Sequence, residues 1–195
     1  MELLLVRHAR PLRAESIDGP ADPGLSPLGR RQADALAAWL APEAIDAIYT
    51  SPLRRALETA APLAIALGVD PVPEPALAEY DADAMAYIPI EELKAAGDPR
   101  WMELPDDIAG FQGRVIDGVD RLAAAHPSQR IVLVCHGGVV NVVVAAVLGL
   151  GPRMVFLPAY TSITRVLVAS SGQRSLATLN ETAHLRVADV PLVEH

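Results

Sequence analysis

The chain has 195 residues, of which 51% are hydrophobic and 21% charged, a balance that supports a globular core and excludes a disordered chain. A formal net charge of -8 argues against a general binder of nucleic acid or of an anionic membrane surface. One cysteine, Cys135, rules out an internal disulfide and any multi-cysteine metal site, and fits a cytoplasmic location.

Residues 1–6 read as a short buried strand that stops abruptly on Arg7 and His8, too soon for the apolar stretch of a signal peptide. Residues 11–25, rich in Pro, Gly and Asp, predict a loop. Ser26 followed by Pro27 predicts a helix start, and Leu28, Ala33, Leu36 and Leu40 give that helix an apolar face. A second strand is expected over residues 45–50. Ser51-Pro52 repeats the helix-start chemistry, and that helix should end near Gly68.

From residue 69 to 106 the pattern weakens. Prolines, acidic residues, Tyr80, Tyr87, Trp101 and Met102 suggest an irregular lid or cap at about 80–106, with a short helix near Glu91. Residues 107–125 return to helix, with Ile108, Phe111, Val115, Val119 and Leu122 at helical spacing. The run "IVLVCHGGVVNVVVAAVLGL" is long enough to span a bilayer, but His136, Gly137, Gly138 and Asn141 interrupt it. A strand over 131–135, a tight turn and a buried helix from about Val139 explain it better. Residues 163–169 and 175–179 flank Ser171-Gly172 as a hairpin. Strands alternating with helices predict an α/β fold: one domain over 1–195, three α/β/α layers about a mostly parallel sheet.

In such sheets ligands bind beyond the carboxyl ends of the strands. Arg7 and His8 follow the first strand, residues 51–55 the second, and His136 the third. Taken singly, each has a bland explanation: a hydrogen-bonded strand-end histidine, a surface ion pair, a turn cap. Together, Arg7 and Arg55 could clamp a phosphoryl group, His136 could add a donor, and a neutral His8 could attack phosphorus. The leaving oxygen would need a proton, and Glu79 at the start of the lid is best placed by chain order to give it. Fifteen arginines against one lysine, Lys94, suit the same fork-like recognition.

"LVRHAR" resembles the opening signature of the histidine phosphatase superfamily, in its phosphoglycerate mutase-like branch. "LSPLGRRQADALA", "YTSPLRRALETA", "IVLVCHGGVVN" and "LNETAHL" are similar to four further blocks of that family, in order, over most of residues 3–185. The resemblance implies a phosphomonoesterase in which His8 becomes phosphorylated. Arg7, Arg55 and His136 would bind the phosphate, and Glu79 would act as general acid and then as base. Arg54 would point elsewhere. The resemblance also implies no metal and no cofactor. Many relatives carry an asparagine where this chain has Ala14, so that phosphate contact is either absent or replaced by Arg10, Arg13 or Ser16. A Gly-rich segment often follows the acid; here it is "YDADAMAYIP". The family's frequent Gly-Glu-Ser before the long helix is replaced near Asp106-Asp107.

The lid is acidic (Asp81, Asp83, Glu91, Glu92), which discourages polyanionic substrates and leaves room for a small or partly apolar phosphomonoester. The expected partner is a small phosphorylated substrate, with no nucleic acid and no membrane; a homodimer is compatible. A mutase, which returns the phosphoryl group to its substrate, is an alternative, although mutases of this family tend to be longer. A binding module without turnover is another. A metal hydrolase lacks convincing ligand spacing. A cysteine phosphatase would need arginine where Asn141 stands, and alternation along the strand turns Cys135 toward the core if His136 faces the site. His184 reads as structural, and His126 and His195 as solvent-facing.

Overall fold

A computed structural model describes residues 1–193, so the expectation for His195 lies outside the described residues. β1 (Glu2–Arg7) is buried on both faces, as a central parallel strand requires. After a two-residue strand, β2 (Ala14–Glu15), helix α1 (Pro27–Leu40) opens with the Ser26 hydroxyl accepting from the Gly29 N–H and Pro27 in the first turn. β3 (Ala47–Thr50) leads to α2 (Arg54–Leu67), which stops at Gly68 in the left-handed conformation, φ 66°. β4 (Val72–Pro73) and a 3-10 turn, Pro75–Leu77, precede the lid. The lid holds β5 (Ala86–Tyr87), the short helix α3 (Ile90–Ala95) and a second 3-10 turn, Pro99–Met102. Helix α4 (Ile108–Ala125) is capped by Asp107, whose carboxylate accepts from the Gly110 N–H. β6 (Arg130–Cys135), α5 (Gly137–Val147), β7 (Ile163–Val168), β8 (Arg174–Glu181) and α6 (Ala183–Val187) complete the order.

The main sheet runs β4-β3-β6-β1-β7-β8. β4, β3, β6 and β1 are parallel, while β7 and β8 form the antiparallel hairpin at the far edge. Alternation along the strands divides the core in two. Leu3, Leu5, Ile131 and Leu133 face α4 and α5, meeting Val115, Val119 and Val143. Leu4, Val6, Val132 and Val134 face α1 and α2, meeting Leu36, Leu40, Ala60 and Leu63. This is the three-layer α/β/α arrangement. Each such side chain, taken fully out of water, stabilises the fold by roughly 1.5–3 kcal/mol.

Three local expectations need correction. Ser51 does not cap a helix: α2 begins at Arg54 after Leu53, and its first N–H, that of Arg54, is instead taken by the Asp22 carboxylate at 2.9 and 3.0 Å. Helix α5 starts at Gly137 rather than near Val139, because two glycines, poor in a helix interior, stand in its first turn. Residues 11–25 and the lid are not wholly irregular: β2 and β5 pair antiparallel, Ala14 with Tyr87 and Glu15 with Ala86, tying the lid to the loop after β1. The long apolar run is divided between β6 and α5, and among the described residues no helix is long and apolar enough to cross a membrane.

Candidate active site

Strand register builds the site. Arg7 lies opposite Cys135, and Thr50 opposite Val134, so β1, β6 and β3 end level. The ladder runs one bond further: the His8 N–H donates to the Cys135 carbonyl at 2.8 Å and the Ser51 N–H to the Val134 carbonyl at 2.9 Å. His8, His136 and Ser51 therefore stand side by side at the carboxyl rim of the sheet.

His8 is buried, and its Nδ1 lies 2.8 Å from the Ala9 carbonyl oxygen. A carbonyl only accepts, so Nδ1 carries the hydrogen and, in the neutral ring, Nε2 keeps a lone pair. Burial above all, then the charges of Arg55 and Arg7, hold the imidazole well below its usual pKa of 6.5. The ring is thus neutral across the physiological range.

Two guanidinium groups flank it. Arg7 lies 4.1 Å over the Tyr160 ring and donates through Nη1 to the Pro158 carbonyl at 2.5 Å. Arg55, only 2% exposed, lies 4.6 Å over the Tyr87 ring, with Asp81 3.5 Å and Asp22 3.9 Å away. The His136 ring is 5.1 Å from that of His8, tilted by 57°. Its Nε2 is 2.7 Å from the Ser51 hydroxyl, which also accepts from the Leu53 N–H at 3.2 Å. When this hydroxyl donates its proton to Nε2, the hydrogen of the neutral His136 ring stands on Nδ1, the nitrogen otherwise without a partner among the described residues. Burial, then Arg55 and His8, keep this ring neutral as well. Arg7 Nε, Arg55 Nε and His136 Nδ1 are all buried without a hydrogen-bond partner among the described residues. Buried donors left unpaired cost about 1–3 kcal/mol each, and the two guanidinium Nε–H groups beside the unpartnered His136 Nδ1 mark a site for an acceptor-rich anion. The N-terminus of α5 adds a favourable dipole there.

Glu79 closes the same corner. Its carboxylate accepts from the Gly138 N–H at 2.8 Å and the Tyr80 N–H at 3.2 Å. Burial, reinforced by the charge of Asp81, raises its pKa from 4.5 to about 7. Gly138 permits this approach: a Cβ there would overlap Glu79 Oε1. The result is a cleft of about 140 Å³ with Arg7, His8, Arg55, Glu79, Gly137 and Gly138 at its base. His136 does not line the cleft wall; it stands beside His8.

Other candidates lie elsewhere. Arg10 is not brought to the cleft, because Glu91 accepts from its Nε at 2.7 Å and Glu92 lies 3.4 Å from Nη2. Ser16 is not brought there either, since its hydroxyl bonds the Asp18 backbone in a local turn. Arg13 pairs with Glu15 at the surface, and Arg54 pairs with Glu58. Cys135 packs in the core beside α4 and α5, and burial pushes its thiol far above the usual range. His184 bonds the Thr161 hydroxyl at 3.0 Å, and burial lowers its pKa to about 4. His126 is not solvent-facing: it is half-buried between the Tyr49 hydroxyl and Gln129. Among the described residues no three His, Cys, Asp or Glu side chains group so as to hold a metal ion.

Three contributors escaped the sequence. Ser51 was hidden by the Ser-Pro helix-start signal. Tyr87 and Tyr160 lie in stretches without periodicity, and nothing along the chain says that their rings lie against Arg55 and Arg7.

Comparison with known proteins bears directly on this site. The model of the histidine phosphatase superfamily, branch 1, matches residues 3–182. The chain belongs to that superfamily. Phosphoserine phosphatase 1 of Hydrogenobacter thermophilus is 32% identical over 162 residues, covering 76% of this chain and 77% of the relative. A mutant phosphoserine phosphatase from Entamoeba histolytica, solved with phosphoserine, superposes with a TM-score of 0.72 at 26% identity over 94% of this chain and 98% of that one. A mycobacterial glucosyl-3-phosphoglycerate phosphatase solved with inorganic phosphate gives a TM-score of 0.76 at 25% identity, again over 94% and 98%. The chain spans 54% of the length of a Mycobacterium tuberculosis bifunctional relative, 29% identical over 200 residues. Histidine phosphatase relatives of this chain thus bind small phosphorylated metabolites.

Proposed function

We propose that the chain is a phosphomonoesterase that hydrolyses a small phosphorylated metabolite through a phosphohistidine on His8. The observation that carries this is the Nδ1–H bond from His8 to the Ala9 carbonyl, which aims the lone pair of a neutral ring at Nε2. Nε2 attacks phosphorus as the bond from phosphorus to the leaving oxygen breaks. Arg7 and Arg55 bear the charge on the equatorial oxygens, and His136, beside His8, adds a donor when its Nδ1 carries the hydrogen. Glu79, protonated because its pKa is raised, gives its proton to the departing oxygen. The resulting carboxylate takes a proton from water, whose oxygen attacks phosphorus. The N–P bond breaks, phosphate leaves, and His8 and Glu79 return to their starting states.

Support for hydrolysis rather than mutase transfer comes from the phosphatases among its relatives. Rapid-quench labelling with a ³²P-phosphomonoester should give an acid-labile, base-stable label on His8, and His8→Ala should lose both label and turnover. Full activity in His8→Ala would refute the mechanism.

A further inference from the structure

We infer that the outer half of this cleft is a subsite for an uncharged, apolar or aromatic leaving group and disfavours leaving groups that carry a carboxylate; the inference rests on the phosphatase function proposed above. Beyond the phosphate-binding base, the wall consists largely of Tyr87, Ile88, Ile90, Leu93, Trp101 and Leu157. Helix α3 buries none of its residues, so the apolar side chains of Ile90 and Leu93 are only half-covered by protein along the cleft. Side chains of this kind, gathered on one wall and left half-covered, gain by burying against an apolar group.

The charges on that wall point the same way. Among the described residues its carboxylates are Asp81 and Glu103, and its one cation outside the base is Arg100. Arg100 is already committed: Asp98 accepts from its Nε at 2.9 and 3.0 Å and from its Nη2 at 2.5 Å, a two-pronged pair. Lys94, the chain's single lysine, does not line the cleft, and its ammonium sits 4.4 Å from the centre of the Trp101 ring. A substrate carboxylate entering the outer half would lose water, meet Glu103 and Asp81, the latter 3.5 Å from Arg55, and find the guanidinium outside the base already paired. A neutral ring would meet Trp101 and Tyr87 instead.

The test compares benzyl phosphate with 4-carboxybenzyl phosphate, whose leaving alcohols differ little in acidity. Benzyl phosphate should have a kcat/KM at least tenfold higher. Asp98→Asn, which keeps the oxygen that caps the Arg100 N–H but releases the guanidinium, should raise kcat/KM for the carboxylated ester severalfold and leave benzyl phosphate unchanged. Trp101→Ala should cost benzyl phosphate about tenfold while inhibition by orthovanadate, which needs only the base of the cleft, stays the same. Equal or better turnover of the carboxylated ester by the unaltered protein overturns the subsite and leaves the phosphatase function standing. Hydrolysis of neither ester, with vanadate still bound, overturns both.

Discussion

The chemistry of the two histidines is decided by what each ring nitrogen touches. His8 is fixed by a backbone carbonyl, a partner that no side-chain substitution removes. His136 depends on Ser51, one hydroxyl at 2.7 Å. Ser51→Ala leaves His136 Nε2 and the Leu53 N–H without their partner, and the imidazole can then carry its hydrogen on either nitrogen. Long-range ¹H–¹⁵N spectra should show the Nδ1–H form at both histidines in the unaltered protein and a mixture at His136 in Ser51→Ala, with kcat down about tenfold; Ser51→Thr should restore the single form. A clean Nδ1–H signal in Ser51→Ala would exclude this role. Glu79 serves two steps with opposite proton demands. Its raised pKa, about 7, should divide substrates by leaving group. Alkyl phosphates need the acid, so their kcat should fall as pH rises through 7. With 4-nitrophenyl phosphate, whose departure needs no proton, the expected limiting step is hydrolysis of phosphohistidine, which needs Glu79 as base, and kcat should rise over the same interval. Glu79→Gln should cost alkyl esters about 10²–10³-fold and abolish both inflections; profiles of the same sign for the two substrates would refute the assignment.

Among the elements, helix α3 connects the lid to the catalytic wall. Glu91 accepts from Arg10 Nε at 2.7 Å and from the Tyr160 hydroxyl at 2.9 Å, and the Tyr160 ring in turn lies against Arg7 and His8. Glu91→Ala removes that shared acceptor without touching a phosphate-binding group. KM should rise several-fold with kcat nearly constant, and limited proteolysis should cut sooner between residues 88 and 106. Unchanged KM and unchanged cleavage would show that α3 is held by other contacts. This latch was illegible in the sequence, whereas β1, β6, α1 and α4 were legible, and the difference is physical. Strand and helix declare themselves through local periodicity, and Ser26 and Asp107 cap the helices that follow them through bonds spanning three residues. The lid consists of short pieces whose bonds close over loops of about 70–80 residues, such as Arg10 with Glu91 and Ala14 with Tyr87, and no window along the chain contains both ends. The same reasoning covers the site: Arg7, His8, Arg55 and His136 stood out because they follow strand ends or helix starts. Arg10 and Ser16 lie one loop further on, and the glutamates of α3 and a local turn claim them first.

The molecule as a whole carries the energetic consequence of holding Glu79 away from water. Its pKa is 4.5 when exposed and about 7 in the fold, so between those values the folded chain binds a proton that the unfolded chain releases. This contribution to stability is therefore complete below pH 4.5, declines as pH rises, and is lost once pH passes 7. The shift corresponds to about 3 kcal/mol, at 1.36 kcal/mol for each pKa unit. Buried His8, His136 and His184 act in the opposite sense, because their folded pKa values lie below 6.5 and acid must force a charge onto them. A single stability curve would mix the two effects, but the difference between Glu79→Gln and the unaltered protein isolates one, since Gln resembles the protonated acid at every pH. Differential scanning calorimetry should therefore find the two proteins nearly equal at pH 4, with Glu79→Gln increasingly the more stable up to about pH 7.5 and the gap constant above. A gap independent of pH would mean that Glu79 ionises as freely in the folded chain as in water. The proton proposed for the leaving oxygen would then have to come from another group.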